Sequence, residues 1–190
     1  MTRPDRAKLL YGVVLVGLLG LTVAGLAPLE PRQRIIGLVL VGLAFLTPSR
    51  VQAWLLRFHF RGRRAHQAKR YDEALKLYGL QLANLQRRPQ LNHAVWLGWM
   101  FYTTRADAMV WNNISALCLE MGLPDKSRSA AENALACDPL YPLPWVNLAG
   151  SALLEGDRVS AERCLEQGRT LGYRGTSCLL YTSPSPRDDR

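Results

Sequence analysis

The chain has 190 residues, room for one domain of ordinary size plus attachments, and a formal net charge of +9. The charge is one-sided: residues 1–70 hold twelve Lys/Arg against two Asp/Glu, a net +10, while residues 71–190 hold twelve against thirteen, a net −1. The basic residues flank apolar runs and do not interleave with aromatic readers on a folded domain, so no nucleic-acid partner is expected.

From Leu9 to Leu29 the chain runs 21 residues without a charge, LLYGVVLVGLLGLTVAGLAPL. As a helix that stretch reaches about 31 Å, the thickness of a hydrocarbon core of about 30 Å. It exceeds the roughly 7–15 apolar residues of a signal peptide, and a second run follows within six residues, which favours a helical hairpin over a cleaved leader. The second run, Ile35–Ser49, has 15 uncharged residues and reaches only about 22 Å. It becomes long enough if the helix continues to Leu56, kinked at Pro48, with Arg50 snorkelling to the interface and Trp54 in the headgroup belt.

Residues 1–56 are therefore expected to be a membrane anchor with two spans, about 9–29 and 35–56. Arg3, Arg6 and Lys8 precede it, and Arg50, Arg57, Arg61, Arg63, Arg64, Lys69 and Arg70 close it, against only Arg32 and Arg34 in the connection. By the positive-inside rule both ends, and the domain after residue 56, are expected to face the cytoplasm.

Beyond the anchor a basic helix is expected around Phe58–Gln67. His59 and His66 lie there among arginines, which predicts a solvated or headgroup-facing role. Next comes YDEALKLY, with the start of a second helix. Residues 91–105, LNHAVWLGWMFYTTR, are the most aromatic of the chain. They fit either an extra helix packed on the following domain or an interfacial helix touching the bilayer.

Residues 108–141 and 142–175 align without a gap as two 34-residue units. Trp111 matches Trp145, Asn113 matches Asn147, Ile114 matches Leu148, Gly122 matches Gly156 and Ala131 matches Leu165. Small residues permit close helix pairing, large ones fill the space between, and glycine permits the turn. The pattern resembles the tetratricopeptide repeat, a 34-residue helix–turn–helix unit with a W-x2-L-G-x2-Y…A-x3-F…P signature. Trp111, Ile114, Ser115, Cys118, Ser127, Ala131 and Pro139 hold those positions in the first unit, and Trp145, Leu148, Ala149, Ala152, Ala161 and Leu165 in the second, with Tyr173 in place of the proline. Residues 57–107 resemble a partial unit interrupted by the aromatic insert, with Ala74 and Tyr78 at the small and large positions. The expected fold class is all-α: a transmembrane helical hairpin followed by a tetratricopeptide-like α-solenoid.

The resemblance implies a concave groove lined by the first helix of each unit. Its groove positions fall on Met109, Asn112, Asn113, Ala116, Leu119 and Glu120, then on Leu143, Val146, Asn147, Gly150, Leu153 and Leu154. It implies a protein or peptide partner, with the amides of Asn113 and Asn147 pairing with an extended backbone. Leu143 and Asn147 stand where some family members carry basic residues that clamp a terminal carboxylate, so an internal, partly apolar segment is the expected ligand.

Cysteines 118, 137, 164 and 178 include no CxxC and have no histidine at ligand spacing, so no metal site is expected and the thiols read as inert helix residues. There is no HExxH, GxSxG or glycine-rich phosphate loop, and no enzyme activity, cofactor or small-molecule substrate is expected. The lipid bilayer and a protein or peptide are the expected partners. The alternative is the N-terminal part of a larger sensor or enzyme whose active domain lies beyond the recorded end. Residues 178–188, CLLYTSPSPRD, resemble the conceptual translation of a transposase-type sequencing adaptor, all eleven in one frame. Residues 176–190 are therefore expected to be non-native, and the genuine chain to continue.

Overall fold

The computed structural model describes residues 3–97 and 102–175, and among these every regular element is helical. The first two helices, α1 (Arg3–Leu26) and α2 (Pro31–Leu55), form a hairpin. Pro31 starts α2 at a position where its missing N–H is harmless. Arg34 closes the turn, donating from Nη2 to Ala27 O at 2.7 Å and Leu29 O at 3.0 Å. A Cβ on Gly37 would run into Leu26 Cδ2, so glycine permits the contact between the helices at that end. The hydroxyls of Thr22, Thr47 and Ser49 donate to carbonyls of their own helices, which satisfies these three donors inside the apolar runs.

α2 runs through Pro48 and Arg50 without ending, and its 25 residues remove the shortfall of the second apolar run. Both helices are long and apolar enough to cross a membrane, and the qualifying stretches, with mean hydropathy 2.3 and 1.6, are 0% buried within the chain. Leu21 and Val16 are 74% and 70% exposed. Patches of that size are unusual on a soluble monomer.

The chain breaks at Leu56, which is fully buried, and continues as α3 (Arg57–Gln67) and α4 (Tyr71–Arg87). α3 buries His59, Gly62 and Ala65, one face at three-residue spacing, against Ala74, Leu77, Tyr78 and Gln81 of α4. The Tyr78 ring occupies the space a side chain at 62 would need, its Cε1 lying 2.8 Å from where a Cβ would stand. His59 shares that face and is only 2% exposed, with its ring 5.3 Å from Phe60 and 6.0 Å from Tyr78 between centroids. It is a core residue, contrary to the solvated role expected from its arginine neighbours, because helix phase and not neighbouring charge decides what it faces.

Two further pairs follow: α5 (Ala106–Glu120) with α6 (Pro124–Cys137), and α7 (Leu143–Leu154) with α8 (Arg158–Thr170). The turns within the three pairs share one construction. Lys69, Gly122 and Gly156 take positive φ of 57°, 69° and 80°. The next residue then reaches back to the helix end: Arg70 N to Ala65 O, Leu123 N to Cys118 O and Asp157 N to Ala152 O, each 2.9 Å. These are Schellman closures, in which only glycine is free of a Cβ penalty.

Where α5 crosses α6, Ser115 and Ser127 are both fully buried. Ser115 Oγ donates to Ser127 O at 2.8 Å and lies 2.9 Å from Ser127 Oγ. Ala149 and Ala161, 34 residues later, are equally buried in α7 and α8. First helices adjoin first helices, α3 on α5 and α5 on α7, while α4 and α6 each pack on the first helix that follows. One core runs from Leu56 through Tyr78, Leu85 and Val110 to Leu117, and a smaller one joins Ala149, Ala152, Ala161 and Leu165.

The insert begins as a 3-10 segment, Pro89–Leu97, and not as an α-helix. It packs against the end of α2 as well as α4 and α5. Gln52 Nε2 donates to Ala94 O at 3.1 Å and Val95 O at 3.3 Å. Trp99, Met100 and Phe101 of the insert lie outside the described residues, as does the tail 176–190.

Candidate functional site

The twelve groove positions implied by the repeat lie on α5 and α7, and the fold assigns them unequal tasks. Asn112 is buried, and Asn147 reaches back to it from α7: Asn147 Nδ2 donates to Asn112 O at 3.1 Å and to Asn112 Oδ1 at 3.0 Å. Both amide protons of Asn147 are thereby spent on joining the units, leaving its Oδ1 as an acceptor. Leu119 and Gly150 form the next contact along the same seam, where a Cβ at 150 would stand 2.9 Å from Leu119 Cδ1.

Met109 packs on the larger core, and Val146 and Leu153 on the smaller one. Asn113, Ala116 and Leu143 are half-buried, and Leu154 is 56% exposed. Asn113 makes no side-chain hydrogen bond with any described residue, so the equivalent asparagines differ: one is committed, the other free.

Glu120 is tied to the preceding pair. Its Oε1 lies 3.1 Å from His66 Nε2, an ion-pair distance without hydrogen-bond geometry, and its Oε2 accepts from Tyr71 Oη at 3.4 Å. Desolvation, followed by the Glu120 charge, raises the Tyr71 pKa above its usual range. The face thus presents a free amide at Asn113, a carboxylate at Glu120, an acceptor at Asn147 and aliphatic surface at Ala116, Leu143 and Leu154. That set can hold an extended segment through its backbone while contacting small apolar side chains.

A second cluster escaped the sequence reading. Leu82, Leu85, Asn92, Arg105, Asp107, Trp111 and Cys137 line a cavity of about 290 Å³ between α4, the 3-10 segment, α5 and the end of α6. Arg105 donates twice to Asp107, from Nε at 3.0 Å and Nη2 at 2.5 Å, and Asn92 Oδ1 accepts from Asp107 N at 2.9 Å. Burial works to raise the Asp107 pKa, but its bonds from Arg105 and the Ala108 N–H outweigh that and hold the carboxyl below its ordinary range. Burial and then the Asp107 charge push the Cys137 thiol up, away from nucleophilic use. The cluster reads as a staple holding the insert to α5. An Asn so far from its partner in sequence carried no periodic signal.

No protein-family model matches the chain, and no curated protein matches it.

Proposed function

We propose that the chain is a membrane-anchored interaction module of tetratricopeptide type, in which α1 and α2 cross the bilayer and the helix pairs present a peptide-binding groove to the cytoplasm. Support for the repeat reading is the coincidence of sequence period with structure: Gly122 and Gly156 both take positive φ, and the Ser115/Ser127 crossing recurs as Ala149/Ala161. Support for the anchor is the apolar surface of α1 and α2, whose qualifying stretches are 0% buried within the chain. The orientation rests on the excess of arginine after α2.

The observation that carries the binding role is Asn113, a half-buried amide without a hydrogen-bond partner among the described residues, on the first helix of a unit that also carries Glu120 and packs on α7. Asparagine is a poor helix former, and a backbone-reading task gives it a reason to stand there. The test has two arms. The chain should resist alkaline extraction, and a reporter after Gly175 should be active in the cytoplasm. Replacing Asn113 with Ala should reduce partner capture in detergent extract while helicity holds. A periplasmic or extracellular reporter signal would reverse the topology, and unchanged capture would remove the groove reading.

A further inference from the structure

Resting on the reading of α2 as a span, we infer that the 3-10 segment Pro89–Leu97 and the arginine face of α3 form one surface that lies on anionic phospholipid headgroups. The placement follows from a short chain of contacts. Gln52, in the last turn of α2, holds the backbone carbonyls of Ala94 and Val95 at 3.1 and 3.3 Å. The 3-10 segment therefore sits at the level where α2 ends. Trp54 is two residues beyond Gln52 and Trp96 one residue beyond Val95, and they are 63% and 37% exposed. Two tryptophans at the end of a span belong at headgroup depth, where an apolar ring and a polar N–H are both satisfied.

The charge around this point has the sign that anionic headgroups require. No acidic residue occurs between Arg32 and Tyr71. On α3, Arg57, Arg61 and Arg64 fall at i, i+4 and i+7, all exposed, opposite the buried His59, Gly62 and Ala65. None of the three is within ion-pair distance of a carboxylate among the described residues, whereas Arg70, Arg105, Arg128 and Arg169 each have one. Arg57 instead lies over the rings of Trp54 at 5.7 Å and Phe58 at 4.7 Å, keeping its charge beside the aromatic pair. Arg57 and Arg64 donate only to backbone carbonyls, of Trp54 at 3.4 Å and Phe60 at 3.5 Å, so a row of exposed guanidiniums without a carboxylate partner among the described residues stands next to a membrane-spanning end, where it can recognise phosphate and carboxylate headgroups. The consequence is orientation: the helix pairs are held at the bilayer by two points, the chain connection at Leu56 and the Gln52 clamp, and do not swing on a tether.

The experiment uses the full chain in nanodiscs of phosphatidylcholine with or without phosphatidylserine, both doped with brominated lipid, and reads tryptophan quenching. The Trp96 contribution is the difference between Trp54→Phe and Trp54→Phe/Trp96→Phe, and the Trp54 contribution is obtained from wild type against Trp54→Phe. The expected result is quenching at both positions, stronger at Trp96 when phosphatidylserine is present. Gln52→Leu should abolish the Trp96 component alone, and Arg57→Gln/Arg61→Gln/Arg64→Gln should abolish its dependence on phosphatidylserine. Quenching of Trp54 without Trp96 would overturn the surface and leave the span intact. Absence of quenching at both would overturn the span and the surface together. Trp96 quenching that ignores both phosphatidylserine and the triple substitution would overturn the anionic-headgroup assignment.

Discussion

Asn147 spends both amide protons on Asn112, one on its backbone carbonyl and one on its side chain, across the seam between α7 and α5. The two asparagines that repeat at the same position therefore do different work, and they should be separable. Asn147→Ala removes two bonds and leaves buried Asn112 Oδ1 without its donor, which should destabilise the chain by about 1–3 kcal/mol. Asn113→Ala removes no bond within the fold and should leave stability nearly unchanged. It should nevertheless lower partner affinity by on the order of 10-fold. Chemical unfolding of each single variant, set beside capture, reads both effects. Equal stability loss in the two would deny the asymmetry.

The Ser115–Ser127 pair predicts a coupling. Ser115→Ala strands a buried Ser127 hydroxyl and should cost about 1–3 kcal/mol. Adding Ser127→Ala should recover part of that loss, because Ala149 and Ala161 occupy the same crossing one unit later. A double-mutant cycle measures the difference. Additive losses would mean that the hydroxyls do not act on each other.

Lys69 holds a left-handed conformation that its counterparts give to glycine. Lys69→Gly should therefore stabilise the α3–α4 pair by about 0.5–1 kcal/mol despite the greater freedom of the unfolded chain. A lower unfolding midpoint in the variant would place the value of Lys69 in its side chain and not its backbone.

How much of this was legible before the fold depended on whether the signal was periodic. Uncharged length identified the two long helices, and the 34-residue match placed Gly122 and Gly156 at turns and small residues at helix crossings. Contacts between residues distant in sequence had no such trace. Nothing in the order of residues pairs Gln52 with Ala94, Asn92 with Asp107, or Asn147 with Asn112, since each depends on how one unit leans on another. His59 misled because charge is visible in a neighbourhood while helix phase must be counted from the packed face.

His59 also gives the chain a pH response. Burial, assisted by the nearby Arg63, lowers its pKa from 6.5 to about 4. Its neutral form is thus favoured by folding, and Nδ1 has no hydrogen-bond partner among the described residues to stabilise a proton. Between these values the unfolded chain binds the proton and the folded chain does not, so stability is full above the unfolded pKa and falls as pH drops toward the folded one. From pH 7 to 5 the loss attributable to His59 should be about 2 kcal/mol. His59→Leu should flatten that part of the profile in denaturant unfolding. A parent and variant that lose stability in parallel would assign the acid response elsewhere.

Whether the face of α5 and α7 holds a partner segment is read by site-specific photo-crosslinking in intact cells. A photoreactive residue at Asn113, on that face, is compared with one at Glu132, exposed on α6. A binding face there gives a discrete protein adduct from position 113 that is absent from 132. Adducts of equal yield from both positions, or none from 113, would contradict it.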